Sequence, residues 1–296
     1  MIYQLCELYI IMNSNTIIRR VYSKIQERLF RGKAMLILGQ RQVGKSTLCD
    51  YVPNNTGQAF FYLNGDDADV RSELRETSAT GLRAIIGSHK LVFIDKAQRI
   101  PNVGLTLKIF VDQFKDVQVI VTGSSAFDLA NLSIEPLTGR KYEFFLFPLS
   151  FSELVDHHGL LEEKRRIEHH LIFGSYPEII THQGKEEELL KLLSGSYLYK
   201  DLLMLEQIKK PVLLEKSLKA LALQLGNEIN YHELGQVVGA DKNTVEKYLD
   251  LLEKTYVIFI APAFNPKLRN ELKKEKRSIS TIVESEMQSW GISIHL

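Results

Sequence analysis

"GQRQVGKS", Gly39 to Ser46, follows the apolar run "AMLIL" (34–38) and precedes a helix-forming stretch. It matches G-x-x-x-x-G-K-[ST] at every fixed position, in the context of strand, loop and helix that the pattern requires. Each part has a physical task. Gly39 and Gly44 allow a tight backbone that aims successive N–H groups at phosphate oxygens, with the positive end of a helix behind them. The cradle comprises Gly39, Gln42, Val43, Gly44, Lys45, Ser46 and Thr47. Lys45 is placed to reach the β and γ phosphates, and the Ser46 hydroxyl to take a Mg²⁺ position.

Outward from the loop, "AFFYL" (59–63), "LVFI" (91–94), "VQVIV" (117–121) and "YEFFLF" (142–147) read as further strands. Several are apolar at consecutive positions, as strands covered on both faces are. Helical patterns lie between them, among them Val103 to Phe114 with Leu105, Ile109 and Phe110 on one side. The alternation predicts an α/β fold with a parallel sheet. Asp95 ends the third strand, where a carboxylate can hold Mg²⁺ through water. Ser124 and Ser125 follow the fourth strand beside the same crevice; either hydroxyl could meet the γ-phosphate or the attacking water, or cap a helix.

The bulk composition narrows the function classes. The chain has 296 residues, 45% hydrophobic and 25% charged, with a net charge of +1, so no electrostatic footprint for nucleic acid or membrane is present. No apolar run reaches membrane-spanning length. Cys6 and Cys49 are the only cysteines, which excludes a disulfide scaffold and fits a cytoplasmic, reducing compartment. The expected natural start is Met12, with "MIYQLCELYII" an extension ahead of it. His157, His158, His169 and His170 lie in polar helical stretches and read as solvated side chains, as does the "EEKRRIEHH" face. Asp66 and Asp67 fall in a loop that lacks the full calcium-loop pattern.

The texture changes after Pro148. From Phe151 to Gly226 only helices are expected, with Pro211 in a first turn and Gly226 as a cap. From Asn230 the order is capped helix, tight turn at Ala240 and Asp241, and a longer helix with Val245, Leu249 and Leu252 inward, then the strand "VIFIA". That is the order of a winged helix-turn-helix. Its second helix mixes Lys242, Lys247 and Lys254 with Asp241, Glu246, Asp250 and Glu253, so DNA contact is only weakly supported.

With "LILGQRQVGKSTL", "LVFIDKAQRIPNVG", "VTGSSAFDLA", "LTGRKYEFFLFPLSF", "FGSYPEII", "SYLYKDLL" and "TVEKYLDLLEKTYVIF" in this order, the chain resembles AAA-type P-loop ATPases of prokaryotes in which an AAA core precedes a domain of unknown function. The resemblance implies ATP and Mg²⁺ as ligands and a parallel sheet of order 5-1-4-3-2. It divides the chain into an ATPase core (13–150), a helical lid (151–226) and a C-terminal winged helix-turn-helix (227–276). It brings in homo-oligomers and protein partners as candidate assemblies. It also implies that Arg140 reaches a neighbouring subunit's γ-phosphate; the alternative is a surface arginine paired with a nearby acid.

Two departures stand out. Lys96 occupies the place where the family carries glutamate, and a side chain with a free pKa of about 10.4 is protonated at neutral pH and cannot activate water. The expectation is an ATPase with weakened hydrolysis, or alternatively a nucleotide-gated switch for DNA or a partner in which hydrolysis is unimportant. The second departure is the segment Arg277 to Leu296, which reads as out-of-frame sequence because a shifted reading after Lys276 permits the family's continuation.

Overall fold

A computed structural model describes residues 16–57, 59–75, 77–123, 137–193, 211–224, 229–261 and 277–280. Five strands form one sheet: β1 (Ala34–Gly39), β2 (Phe60–Asn64), β3 (Leu91–Asp95), β4 (Gln118–Gly123) and β5 (Lys141–Leu146). All neighbours are parallel and the order is β2-β3-β4-β1-β5, which is the expected order viewed from the other edge. The pattern of burial explains the sequence texture. Every residue of the three central strands is buried, so their runs are continuously apolar. The edge strands β2 and β5 are only partly covered, which leaves Tyr62 and Phe145 exposed.

Alternate residues of the sheet feed two cores. Leu36, Leu38, Val92, Ile94, Val119 and Val121 face a core shared with Leu74, Leu82, Leu107 and Phe110. On the other face, Met35, Ile37, Phe93 and Ile120 join a cluster that continues through Ile179, Leu214, Leu234 and Leu249. On the helix Val103–Gln113 the expected Phe110 is buried and Ile109 packs against the same core, but Leu105 departs from expectation. The helix buries Val103, Thr106, Leu107, Phe110 and Val111 and leaves Leu105 56% exposed. A 3.6-residue period accommodates either stripe, and Thr106 finds a buried partner because its Oγ1 donates to the Leu74 carbonyl at 2.9 Å.

After the sheet come the helices Phe151–His158, Leu160–Arg165, Ile167–Phe173, Pro177–Thr181, Glu186–Leu193 and Pro211–Ala222. The first is started by a reciprocal cap between Ser150 and Glu153. His157 is exposed, as expected, while His158, His169 and His170 depart from the solvated reading. His158 Nδ1 and His170 Nε2 lie 2.6 and 2.7 Å from the two oxygens of Glu163, a side chain with 0% exposure. His169 Nε2 lies 3.1 Å from Glu186. Polar composition alone does not reveal that Glu163 turns inward.

The next helix, Tyr231–Val238, is capped by Asn230 and ends at the left-handed Gly239; Lys242–Lys254 follows from the Asp241 cap. Val245, Leu249 and Leu252 are buried there, as expected. Two further strands, β6 (Ile258–Ala261) and β7 (Arg277–Ser280), pair antiparallel. That ladder uses the first four residues of the segment expected to be out of frame. Main-chain pairing makes few demands on side chains, so it is neutral on the reading frame. Met12, Gly226, "SYLYKDLL" and residues 281–296 lie outside the described residues.

Candidate functional site

The loop after β1 runs along the C-terminal edge of the sheet into the helix Lys45–Thr56. Gly39 is forced by a close approach: a Cβ there would stand 2.0 Å from the Leu146 carbonyl oxygen on β5. Gln42 and Gly44 both take left-handed backbone angles, φ 59° and 89°. Lys45 Nζ folds onto the loop, donating to the carbonyls of Gly39 at 2.8 Å and of Gln40.

Asp95 lies under this loop at the end of β3, 7% exposed, and side chains from β2, β4 and the helix Lys45–Thr56 converge on it. Ser46 Oγ donates to Asp95 Oδ2 at 3.2 Å and the Tyr62 hydroxyl to the same oxygen at 3.0 Å, while Thr122 Oγ1 donates to Oδ1. Burial, reinforced by the Asp95 carboxylate, pushes the Tyr62 phenol well above its usual range. Burial and the same carboxylate also raise Asp50. Strand order explains the convergence, because β3 lies between β2 and β4.

Lys96 faces this cleft. Its backbone N–H donates to Thr122 Oγ1 at 3.1 Å and its ammonium contacts Asp66 Oδ2. Arg99 Nε lies 3.7 Å from the other Asp66 oxygen. The hydrogen bond from Lys96 holds the Asp66 carboxyl below its ordinary value. Gln42, Lys45, Ser46, Thr47, Asp66 and Asp95 are among the lining of the resulting cleft of about 500 Å³. Beyond Gly44 and Thr47 lies a second, more apolar cavity of about 280 Å³, walled by Ile17, Ile18, Tyr51, Leu149 and Pro177.

Two supports of the loop have no signal in the motif. Arg19, 8% exposed, donates through Nη1 to the Val43 carbonyl and through Nη2 to the Phe147 carbonyl, each at 2.6 Å, and its Nε lies 3.2 Å from Glu153. Gln40 accepts from the Tyr176 hydroxyl and donates to the Tyr256 carbonyl. Of the remaining expected site residues, Arg140 is not among those lining the cleft; its Nε lies 2.7 Å from Asp112. Ser124 and Ser125 lie outside the described residues.

Comparison with known proteins agrees with this architecture. Residues 31–155 match the family described as an AAA domain, and residues 164–280 match a domain of unknown function, DUF8612. The uncharacterized protein Rv2008c of Mycobacterium tuberculosis is 25% identical over 267 residues, covering 88% of this chain and 56% of that protein. An uncharacterized protein of Haemophilus influenzae is 24% identical over 265 residues, 80% of this chain and 64% of its own length. The chain therefore spans little more than half the length of these curated relatives. Among solved structures, the Walker-type ATPase PABY2304 of Pyrococcus abyssi superposes with a TM-score of 0.61 at 17% identity, covering 93% of this chain and 97% of that one. The chain thus carries an AAA domain followed by a domain of unknown function, on the fold of a P-loop ATPase.

Proposed function

We propose that the cleft binds ATP with Mg²⁺ and hydrolyses it slowly. The observation that carries this reading is the 3.2 Å contact between Ser46 and Asp95 beneath the loop that holds Lys45. A hydroxyl and a carboxylate from different elements meet there, an all-oxygen donor pair that would hold Mg²⁺. When bound, the metal neutralises charge developing on the β and γ phosphates. The chain's own part is to grip and orient. Backbone N–H groups of the loop hold phosphate oxygens, and Lys45 exchanges its contacts with the Gly39 and Gln40 carbonyls for the terminal phosphates. The cavity walled by Ile17, Tyr51 and Pro177 is apolar enough for an adenine ring.

Slow turnover follows from position 96. A positioned general base is worth about 10²–10⁴ in rate, and the ammonium of Lys96 supplies none. Pairing of Arg140 with Asp112 favours the surface ion-pair reading over a reach into a neighbouring subunit. Thermal unfolding with Mg-ATP tests the central claim. Ligand at a hundredfold excess over its dissociation constant adds about 2.7 kcal/mol. Lys45→Ala should remove most of that gain, and native protein that gains nothing refutes the reading.

A second reading has its own observation. The Gln40 side chain joins the phosphate loop to the Tyr256 carbonyl at the end of the second helix-turn-helix helix, favouring a switch in which that region, as a winged helix, feels nucleotide occupancy. The partner would be a protein, because the helix Lys242–Lys254 balances its lysines with acids, Lys254 lying 2.7 Å from Asp250. A cytoplasmic setting completes the proposal.

A further inference from the structure

The carboxylate missing from position 96 has a counterpart one strand away. β2 and β3 run parallel with Asn64 opposite Asp95, so Asp66 and Lys96 leave the same edge of the sheet side by side. The two backbones touch there. Gly65 N–H donates to the Asp95 carbonyl at 2.8 Å, and a Cβ on Gly65 would stand 2.3 Å from the Lys96 carbonyl oxygen. The turn carrying Asp66 is itself fixed. Its N–H donates to Asn64 Oδ1 at 3.0 Å, and Arg71 Nη1 donates to the carbonyls of Gly65 and Asp66. The Asp66 carboxylate lines the same cleft as Lys45, Ser46, Asp95 and Thr122. Lys96 and Arg99 hold it, one on each oxygen.

We propose that Asp66, steadied by Lys96, is the carboxylate that positions the attacking water in this cleft, and that the slow turnover is what a carboxylate tied to Lys96 and Arg99 sustains from the tip of β2. The inference rests on the ATP-hydrolysing reading above. In the step assigned to it, the water oxygen bonds to the γ-phosphorus while the bridging P–O bond breaks, its electron pair leaving on the β-phosphate of ADP. One water proton passes to Asp66 and on to solvent, which reaches a side chain 44% exposed. Stability alone explains the pair poorly. Both side chains are close to half exposed, and such surface pairs contribute little to folding.

Phosphate release and Mg-ATP affinity, measured on native protein and variants, test the proposal. Asp66→Asn should lower kcat about a hundredfold while KM and the thermal shift with Mg-ATP hold steady. Asp66→Lys combined with Lys96→Glu returns a carboxylate to β3 beside a cation on β2, and should restore at least native kcat. A merely structural ion pair predicts no such split between kcat and KM. If Asp66→Asn unfolds, the charge-reversed double variant decides, and a folded double variant without turnover overturns the proposal. Native-like kcat in Asp66→Asn overturns it too. Native protein that binds Mg-ATP yet releases no phosphate above the Lys45→Ala background refutes the water-positioning role and leaves nucleotide binding intact. Native protein with no affinity for Mg-ATP refutes the parent reading instead.

Discussion

Replacing Arg19 with methionine should destabilise the fold and blunt the phosphate loop together. The side chain is 8% exposed and its partner Glu153 7%. Methionine keeps apolar bulk but removes every donor, so the Val43 and Phe147 carbonyls lose their 2.6 Å bonds and Glu153 keeps its charge without the guanidinium. Removing one partner of a buried pair costs about 3–5 kcal/mol. Glu153 retains backbone donors at Arg20 (2.8 Å) and Ser150 (2.9 Å), which points to the lower end, about 3 kcal/mol. At about 2–4 °C per kcal/mol for a chain somewhat smaller than this one, Tm should fall by roughly 6–12 °C. The functional effect follows from peptide geometry. Carbonyl and N–H point in opposite directions across a trans peptide, so drawing the Val43 carbonyl toward Arg19 aims the Gly44 N–H the other way. Releasing that carbonyl should weaken Mg-ATP binding about tenfold at a temperature where the variant is folded, near 1.4 kcal/mol. Arg19→Lys should rescue neither property, because one ammonium cannot serve three acceptors in a fork. Circular dichroism melts and nucleotide titration make the measurement. A stability loss under about 1 kcal/mol refutes the packing account, since a buried pair broken on one side cannot cost so little. Unchanged affinity in a folded variant refutes the claim that Arg19 aims the loop.

Gly39→Ala should cost at least about 2 kcal/mol in urea unfolding, because its Cβ would meet a β5 carbonyl that cannot move without parting the sheet; near-native stability would mean β1 and β5 are spaced more widely. Leu107→Ala should cost about 2–5 kcal/mol and Leu105→Ala within about 0.5 kcal/mol, and the reverse ranking would restore the other helix face. Acid stability should depend on Glu153. Burial alone would raise its carboxyl, but N–H donation by Ser150 and Arg20 and the charge of Arg19 outweigh burial and hold it below its ordinary 4.5. With the folded value lower than the unfolded one, its stabilisation is full above the unfolded value and disappears as pH falls through the folded one. Glu153→Gln should therefore flatten this part of the acid limb in a stability–pH titration, and an unchanged slope counts against the assignment.

The parts legible in the sequence were those set by local repetition or by a complete motif. Strands β1, β3 and β4 announced themselves because helices cover both their faces, and the loop did so because phosphate binding constrains spacing residue by residue. What stayed hidden depends on contacts between distant residues. Arg19 meets Glu153 across 134 positions, and Asp66 meets Lys96 across 30. No periodicity encodes either meeting. On the helix Val103–Gln113 only Leu105 was misplaced, for a related reason: Leu105 and Leu107 are equal in hydrophobicity, and only the sheet beside them decides which is buried. Glu163 was misjudged likewise, because two imidazoles brought by the fold let a charged residue lie inside.

The matched AAA domain spans residues 31–155, yet three contacts that set the phosphate loop come from outside it: the Arg19 guanidinium, the Tyr176 hydroxyl and the Tyr256 carbonyl. The last two meet on Gln40, whose own carbonyl accepts from Lys45. On the proposed nucleotide-binding reading, a phosphate that draws Lys45 forward acts on a residue whose side chain is held by the Tyr176 hydroxyl and the Tyr256 carbonyl. Linkage makes the relation reciprocal: whatever nucleotide does to the Tyr256 turn, a partner bound at that turn does to nucleotide affinity by the same factor. The domain of unknown function is thus part of the machinery that shapes the phosphate loop. It reaches that loop through two hydrogen bonds to Gln40 and reaches the neighbouring cavities through Pro177 and Glu178, so on the proposed nucleotide-binding reading a substitution at Gln40 tests the first of these routes.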